Sequence, residues 1–438
     1  MTLRHIAWRI LRSGSEQPLR EVARAAHLEG LDDRDRGLLR AIVGTEIRRR
    51  GTLRAIVTRF THGTPKADLA AHLRLGLTQM LFLDRVPPHA AISETVSAAS
   101  ETLGLSKGRL VNGVLREVQR QVHVGLSGDP RRDLPDRNWH FDRPVFRDPE
   151  LHPSLWAEDV LNIPSHLFKR WSARHGEETA GEISRWFLTD PPLCLWAKTK
   201  EALDESVKDV TGASASRAAE GLRIPSDQIG AVLRSQAFQS GALWVQGETA
   251  QRAGALLELS PSSSALDLCA APGTKAMQMA RSGARVLACD LSARRLALMT
   301  PEMQRQGGGF PIKLLACDAG AGIAPGELFD GVLVDAPCSN TGVLGARAEA
   351  RWRFSPSNMR ALTTLQEALL SQAAERVTPG GQLVWSVCSI EPEEGEQCVR
   401  RFLGEREDFE LTESFLALPG PSSSPDGGFA ARLTRKKA

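Results

Sequence analysis

From Ser260 onward the chain repeats one device: a short apolar run that ends on an acidic residue or a cysteine, then a stretch with helical spacing. The runs are ALDLCA, RVLACD, IKLLACD, FDGVLVDAP and QLVWSVCS, and helices are expected from about Lys275, from Ala293 and from about Met359 to Val377. Short, continuous apolar runs suit strands buried on both faces. Their alternation with helices calls for a parallel sheet with helices on both sides. The ends of the runs then matter more than their middles, because ligands of such sheets sit at the carboxyl ends of the strands.

At 438 residues the chain exceeds one ordinary core, and the remainder divides by pattern. Residues 1–125 read as helix throughout, with apolar side chains at three- and four-residue spacing (Leu38, Leu39, Ile42, Val43, Ile47; Leu69, Leu73, Leu77, Met80, Leu81). Residues 126–164 are rich in Pro, Asp and Arg without periodicity and are expected to be a linker. Residues 165–259 mix helical pieces with the strand candidates LCLWAKT and FQSGALWVQGE, a small α+β domain. Residues 260–438 form the α/β domain, with PGPSSSPDGG as a surface loop.

The net charge of +3 hides an asymmetry: residues 1–140 hold 23 Lys/Arg against 15 Asp/Glu, a balance of +8. A basic helical module beside a mildly acidic α/β domain points to a polyanion as partner of the first. Arg34, Arg36, Arg40 and the run Arg48 to Arg50 are its candidate contacts. The seven cysteines are scattered and contain no C-x-x-C pair, which argues against a disulfide framework and a metal site and fits reduced thiols in the cytoplasm. No apolar run is long enough to span a bilayer. The N-terminal segment, interrupted by Arg4, Arg9 and Arg12, reads as an amphipathic helix and not as a signal peptide.

The first run of the α/β domain leads into a loop of small residues, Cys269, Ala270, Ala271, Pro272, Gly273, Thr274 and Lys275, where backbone amides can approach a ligand closely. It is not G-x-G-x-x-G, which weakens a dinucleotide reading. Asp290, 17 residues beyond Gly273, ends the second run and suits both hydroxyls of a ribose. Asp318 ends the third run and Asp335 the fourth. One such aspartate is most often a cap or loop residue. Three in series beside this loop favour a nucleoside with a cationic sulfonium, S-adenosyl-L-methionine, over a polyphosphate, which they would repel.

Two further strand ends deliver thiols, Cys338 in Asp335-Ala-Pro-Cys and Cys388 after LVWSV. A cysteine after a buried strand is usually a small hydrophobe, and Cys269, Cys289 and Cys317 are read that way as far as chemistry goes. A pair facing one crevice matches a specific task. Cytosine C5 is a poor nucleophile until a thiolate adds at C6, and a base must later remove the C5 proton so that the thiol can leave. The amino-directed pattern [DN]-P-P-aromatic is replaced here by DAPC, so carbon methylation is preferred over nitrogen methylation.

The segments DLCAAPGTK, FDGVLVDAPCSNTGV and VTPGGQLVWSVCSIEPEE resemble successive signature motifs of the Nop/Sun RNA (cytosine-5) methyltransferase family. DRDRGLLRAIVGTEIRRRGTL, VPPHAAISETV and RLVNGVLREV resemble the NusB-like helical domain of its Sun/RsmB branch, and PSHLFKRWSARHGEE resembles the start of that branch's middle domain. The resemblance spans nearly the whole chain. It implies an all-α NusB-like RNA-binding domain, a small α+β connecting domain and a Rossmann-like methyltransferase domain in a cytoplasmic, monomeric bacterial enzyme. That enzyme would form 5-methylcytosine in 16S ribosomal RNA. It further implies Cys388 as nucleophile and Cys338 as the thiol assisting release. The loop Cys269 to Lys275 would hold the methionine part of the cofactor, Asp290 the ribose and Asp318 the adenine side. Asp335 would sit between cofactor and base, with Lys275 nearby.

The chain departs from the family pattern at Thr274 and Ala276 in the loop, at Val387 before the nucleophile, at Trp196-Ala197-Lys198 for an R-x-N, at Gly345-Ala346 for a basic pair and at Gly247 for an Asp. The catalytic set is retained while several RNA-facing positions change. Other readings are an RNA-binding ribosome-assembly protein without turnover, the same chemistry on transfer RNA or another ribosomal site, and a transcription factor acting through the helical domain.

Overall fold

The three- and four-residue spacing of the N-terminal segment becomes seven helices in the computed structural model, which describes residues 2–437 apart from 62, 198, 200, 202, 205–211, 217–220, 320–326 and 422. They are α1 (Leu3–Arg12), α2 (Pro18–Leu28), α3 (Asp33–Arg48), α4 (Arg50–Phe60), α5 (Ala67–Phe82), α6 (Pro88–Leu103) and α7 (Leu105–Gln121). Thr2 and Asp32 set the starts of α1 and α3, their side-chain oxygens accepting from the backbone N–H groups of His5 (3.3 Å) and Asp35 (2.7 Å). A cap of this kind contributes about 1 kcal/mol. Helices α2 and α6 begin on prolines, whose missing N–H costs nothing in a first turn. The apolar stripes meet in a core that includes Ile6, Ile10, Leu39, Ile42, Val43, Ile47 and Leu75.

The chain divides into two compact units, residues 1–188 with 348–352, and 189–347 with 353–438. Residues 126–164, read from sequence as a linker, fold within the first unit. β1 (Val122–Val124), β2 (Asp133–Leu134) and β3 (Trp139–Phe141) form an antiparallel sheet in the order β1-β3-β2. Asp133 accepts from Ser127 N (2.9 Å), Ser127 Oγ (2.6 Å) and Gly128 N (3.0 Å), so side-chain bonds replace the periodic ladder that a pattern search looks for. The helices Ser165–His175 and Glu177–Trp186 also belong to this unit. So does the turn Ala348–Trp352: Arg351 is fully buried and donates to the carbonyls of Asn162 (3.1 Å) and Phe187 (3.2 Å), and Trp352 Nε1 donates to that of Ile47 (2.8 Å).

Many arginines of this unit serve the fold. Glu46 on α3 is fully buried between Arg50 (2.7 Å) and Arg74 (2.6 Å). Burial alone would raise its carboxyl, but the two guanidinia outweigh it and hold the group below its usual value. Arg49 is nearly buried against Asp136 (2.6 Å). Of the expected polyanion contacts, Arg34, Arg36 and Arg40 are exposed, whereas Arg49 and Arg50 are engaged in these internal pairs.

The second unit contains two sheets. The smaller is antiparallel in the order β5-β6-β4-β7, from β4 (Leu193–Ala197), β5 (Ser214–Ala215), β6 (Gly221–Ile224) and β7 (Leu243–Val245). Lys198, at the end of the LCLWAKT candidate, lies outside the described residues. The larger has seven strands: β8 (Ser264–Asp267), β9 (Arg285–Asp290), β10 (Ile312–Ala316), β11 (Phe329–Asp335), β12 (Val377–Val387), β13 (Phe409–Ala417) and β14 (Gly428–Arg435). Their order is β10-β9-β8-β11-β12-β14-β13; β8 to β12 are parallel, and the sequence alternation had foreseen these. The antiparallel pair β13 and β14 closes the sheet on the β12 side, and among the described residues no helix lies between the two strands to continue the alternation.

One face of the large sheet packs Leu369 and Leu370 of the helix Pro356–Ala374 and Phe402 of the helix Glu396–Glu405 on Trp385. The other covers Leu333 and Val384 with Leu256, Met279 and Met299. Strand order reverses between β8 and β11, and the crevice at that switch point is where such sheets bind ligands.

Candidate active site

The loop after β8 is shaped by one glycine. Gly273 has φ +95° and precedes the helix Thr274–Arg281; a Cβ there would lie 2.4 Å from Met299 Cε, so no other residue fits without displacement. Ala270 and Ala271 are buried, with Ala270 N donating to the Cys289 carbonyl (2.8 Å). At the end of β9, Asp290 is 3% exposed and accepts from the backbone N–H of Ala271 (3.2 Å) and of Ser292 (2.9 Å), with Arg295 at 3.4 Å. One carboxylate thus fixes the loop and the next turn, and keeps lone pairs for further donors. Asp318 lies exposed, one residue beyond the Cys317 N to Asp290 carbonyl bond (3.1 Å).

Asp335 and Ser386 are register partners on β11 and β12, and this pairing brings the two cysteines together. Three residues beyond Asp335 and two beyond Ser386, Cys338 Sγ and Cys388 Sγ stand 3.2 Å apart. Cys388 Sγ also reaches Asn340 Oδ1 (3.3 Å), whose Nδ2 donates to the Cys338 carbonyl (2.7 Å). The hydrogen bond with Cys388 and then burial push the Cys338 thiol well above its usual value. Asp335 accepts from Lys275 Nζ (2.6 Å) and Ser386 Oγ (3.0 Å). Burial works against the Lys275 ammonium, but the Asp335 charge and hydrogen bond outweigh it and hold the amine above its usual value. Glu394, fully buried, accepts from Ser339 N (2.9 Å), Ser339 Oγ (2.5 Å) and Gln366 Nε2 (3.0 Å), clamping the loop that carries Cys338.

Lys275, Asp335, Cys338 and Cys388 are therefore brought together at the strand ends, and Asp290 fixes the loop that precedes Lys275. Cys269 and Cys289 have thiols pushed up chiefly by burial, the state of inert packing residues. Four contributors have no sequence spacing that singles them out: Asp267, Asn340, Glu394 and Ser386. Asp267 is 1% exposed; among the described residues neither carboxylate oxygen makes a hydrogen bond of ordinary geometry, and the nearby N–H of Cys269 offsets only a small part of the cost of burial. Burial, followed by the charge of Asp335, raises it to about 7.

An orphaned carboxylate beside a glycine-shaped loop fits a small cationic ligand, and Asp290 fits a ribose. Together with the strand order, these features define the S-adenosylmethionine-dependent methyltransferase class. Comparison with known proteins narrows the class. Residues 254–422 match the model described as 16S rRNA methyltransferase RsmB/F, and residues 1–120 match the NusB family. A ribosomal RNA small subunit methyltransferase B of Pseudomonas putida is 31% identical over 94% of this chain and 93% of its own length; that of Cronobacter sakazakii is 31% identical over 83% and 81%. The chain belongs to the RsmB/F methyltransferase family. The solved structure of PH0851 superposes with a TM-score of 0.74 at 23% identity, covering 98% of both chains, and NSun6 from Pyrococcus horikoshii with SFG reaches 0.53 at 19% identity over 63% of this chain and 99% of its own. At these identities the likeness concerns the fold.

The departures from the family pattern acquire physical settings. Ala276 and Val387 are buried core positions. A Cβ on Gly247 would lie 2.1 Å from Asp426 Oδ2, so the carboxylate of Asp426 occupies the space an aspartate would need. Asp426 accepts from Thr249 N (3.3 Å) and Oγ1 (3.2 Å), which ties down the segment read as a free surface loop.

Proposed function

We propose that this chain forms 5-methylcytosine in small-subunit ribosomal RNA in the cytoplasm, with Cys388 as covalent nucleophile and Cys338 as the thiol that assists release. The observation that carries the reading is the 3.2 Å approach of the two sulfurs at adjacent strand ends, beside the Lys275–Asp335 pair. When bound, S-adenosylmethionine supplies an electrophilic sulfonium methyl. The loop from Cys269 to Lys275 and Asp290 would hold it, with Asp318 on the adenine side and Asp267 facing its positive charge.

The chain's own groups divide the remaining work. Cys388 gives up its proton to solvent and its thiolate bonds to cytosine C6; the C5=C6 electron pair moves to C5, which becomes the nucleophile. The Lys275 ammonium favours the anionic sulfur. After methylation, Cys338, its own proton first lost to solvent, takes the C5 proton; that electron pair re-forms C5=C6 and the Sγ–C6 bond breaks, returning Cys388 as thiolate. The target base must leave its stack, so an unpaired cytosine is expected. The exposed Arg34, Arg36 and Arg40 of the helical unit supply affinity for RNA phosphates.

Incubating RNA and cofactor with the two single mutants tests the division of labour. Cys388→Ala should form no adduct and no 5-methylcytosine. Cys338→Ala should accumulate a protein–RNA species stable to denaturing electrophoresis. An adduct with Cys388→Ala alone reverses the roles, and full turnover in both mutants removes the covalent mechanism.

A further inference from the structure

The second unit carries a cavity of about 600 Å³ remote from the thiols. Its walls come from Trp196 of β4, Trp244 of β7, Arg281 in the last turn of the helix Thr274–Arg281, and the segment Gly308 to Pro311 that leads into β10. That helix starts at the carboxyl end of β8 and runs back, and the glycine segment enters β10 at its amino end. The cavity therefore lies at the amino ends of the parallel strands, opposite the strand ends that bear Cys338 and Cys388.

Trp196 and Trp244 are direct partners across the antiparallel pair β4 and β7. Their rings are nearly parallel, 18° apart in plane and 6.4 Å between centroids. The Arg281 guanidinium stacks on Trp244 at 3.6 Å. Among the described residues, four buried donor atoms of these side chains have no hydrogen-bond partner: Trp196 Nε1, Trp244 Nε1, Arg281 Nε and Arg281 Nη1. Trp244 itself is only 6% exposed. Buried donors are rarely left unmade, and four within three neighbouring side chains mark a local shortage of acceptors. Among the described residues no Asp or Glu lines the cavity and Arg281 is its one charge, partly desolvated, with Nη2 donating to Gln306 Oε1 and the Glu302 carboxylate acting on it from outside the lining. Gly308 and Gly309, both at positive φ with open space where a Cβ would stand, leave the wall free of side chains.

Aromatic faces, unmade donors and a single cation in the lining are complementary to a planar base carrying a phosphate. The volume is within the range of pockets that enclose a ligand of nucleotide size. We propose that this cavity is a nucleotide subsite, taking a base and its phosphate from single-stranded RNA outside the target position. The source of the ligand rests on the RNA-methyltransferase reading; the nucleotide chemistry of the cavity does not. Trp196 stands where the family pattern has an arginine, so the subsite exchanges a point charge for a stacking surface.

The test uses the full-length protein, a single-stranded RNA 12-mer, free cytidine 5′-monophosphate, and the variants Trp196→Leu and Arg281→Gln. Trp196→Leu should weaken 12-mer binding about 5- to 150-fold, the range of one base stack. Arg281→Gln should flatten the log–log salt slope by about 0.7, one single-strand phosphate contact. Calorimetric affinity for S-adenosylmethionine should be unchanged in both, which controls for folding. In the wild type, 12-mer containing 4-thiouridine should photocrosslink to a peptide holding Trp196, Trp244 or Arg281, whatever the variants do. Unchanged RNA affinity and salt slope with intact cofactor binding, or no crosslink to these peptides, overturns the proposal. If the wild type neither binds nor methylates RNA while free cytidine monophosphate still quenches tryptophan fluorescence in a Trp196-dependent way, the RNA reading fails and the nucleotide site stands.

Discussion

Replacing Asp267 by Asn should stabilise the cofactor-free protein in a pH-dependent way while weakening its hold on the cofactor. Asp267 is fully enclosed and, among the described residues, makes no hydrogen bond of ordinary geometry; its value rises from 3.8 in a free carboxyl to about 7 in the fold. Between these values the unfolded chain has lost the proton and the folded chain still binds it. Stability therefore falls as pH rises from about 4 to about 7 and levels off above. At 1.36 kcal/mol per unit the loss amounts to about 4 kcal/mol. Asparagine cannot ionise and escapes it. The advantage of Asp267→Asn should be near zero at pH 4 and grow to about 4 kcal/mol at pH 8, or roughly 8–16 °C in Tm for a unit of this size. Thermal melts of both proteins across that range, without cofactor, measure the difference directly. Cofactor titrations should move oppositely: wild-type affinity for the cationic ligand falls as pH drops below about 7, by up to about tenfold per unit, and the asparagine variant binds weakly at every pH. A stability difference that stays flat from pH 4 to 8 would refute the buried, ionisable Asp267.

Asp290→Ala removes the acceptor of two backbone N–H groups as well as the proposed ribose contact, so calorimetry should find cofactor affinity lower by about 1.5–3 kcal/mol, roughly 10- to 150-fold; unchanged affinity would take Asp290 out of the site. Gly273→Ala should cost about 1–2 kcal/mol for the left-handed backbone and a further ~1–3 for contact with Met299. In a double-mutant cycle by denaturant unfolding, with the cost of about 2–5 kcal/mol for Met299→Ala alone subtracted, the coupling should return the contact part only, and return of the whole loss would show that the backbone is unstrained. Changing Arg34, Arg36 and Arg40 together to Gln should flatten the RNA salt slope by about 2 on single strands, and an unaltered slope would make these arginines a solvated surface.

Local chemistry and period were legible from the chain alone. Five parallel strands, the helices between them, the Cys269 to Lys275 loop and both thiols follow from residues adjacent in sequence, because a buried strand must be apolar and a tight loop must be small. Asp290 was legible for the same reason, as a fixed offset from a glycine loop. Asp267 was not: its significance is a lack of ordinary hydrogen bonds, which no spacing encodes. The fold of 126–164 was hidden because Asp133 satisfies backbone groups through side-chain bonds that leave no period.

What only the tertiary structure decided is which distant segments share an environment. Ala348–Trp352 belongs with the first unit although it follows the Cys338 strand, since Arg351 and Trp352 donate to the carbonyls of Asn162, Phe187 and Ile47. Trp196 faces Trp244 only because β4 and β7 pair, and Arg281 joins them only because its helix ends there. Cys338 comes within 3.2 Å of Cys388 through the register that sets Asp335 opposite Ser386. Periodicity records which face of an element is buried; it carries no information about the partner, and register is fixed by packing between elements far apart in the chain.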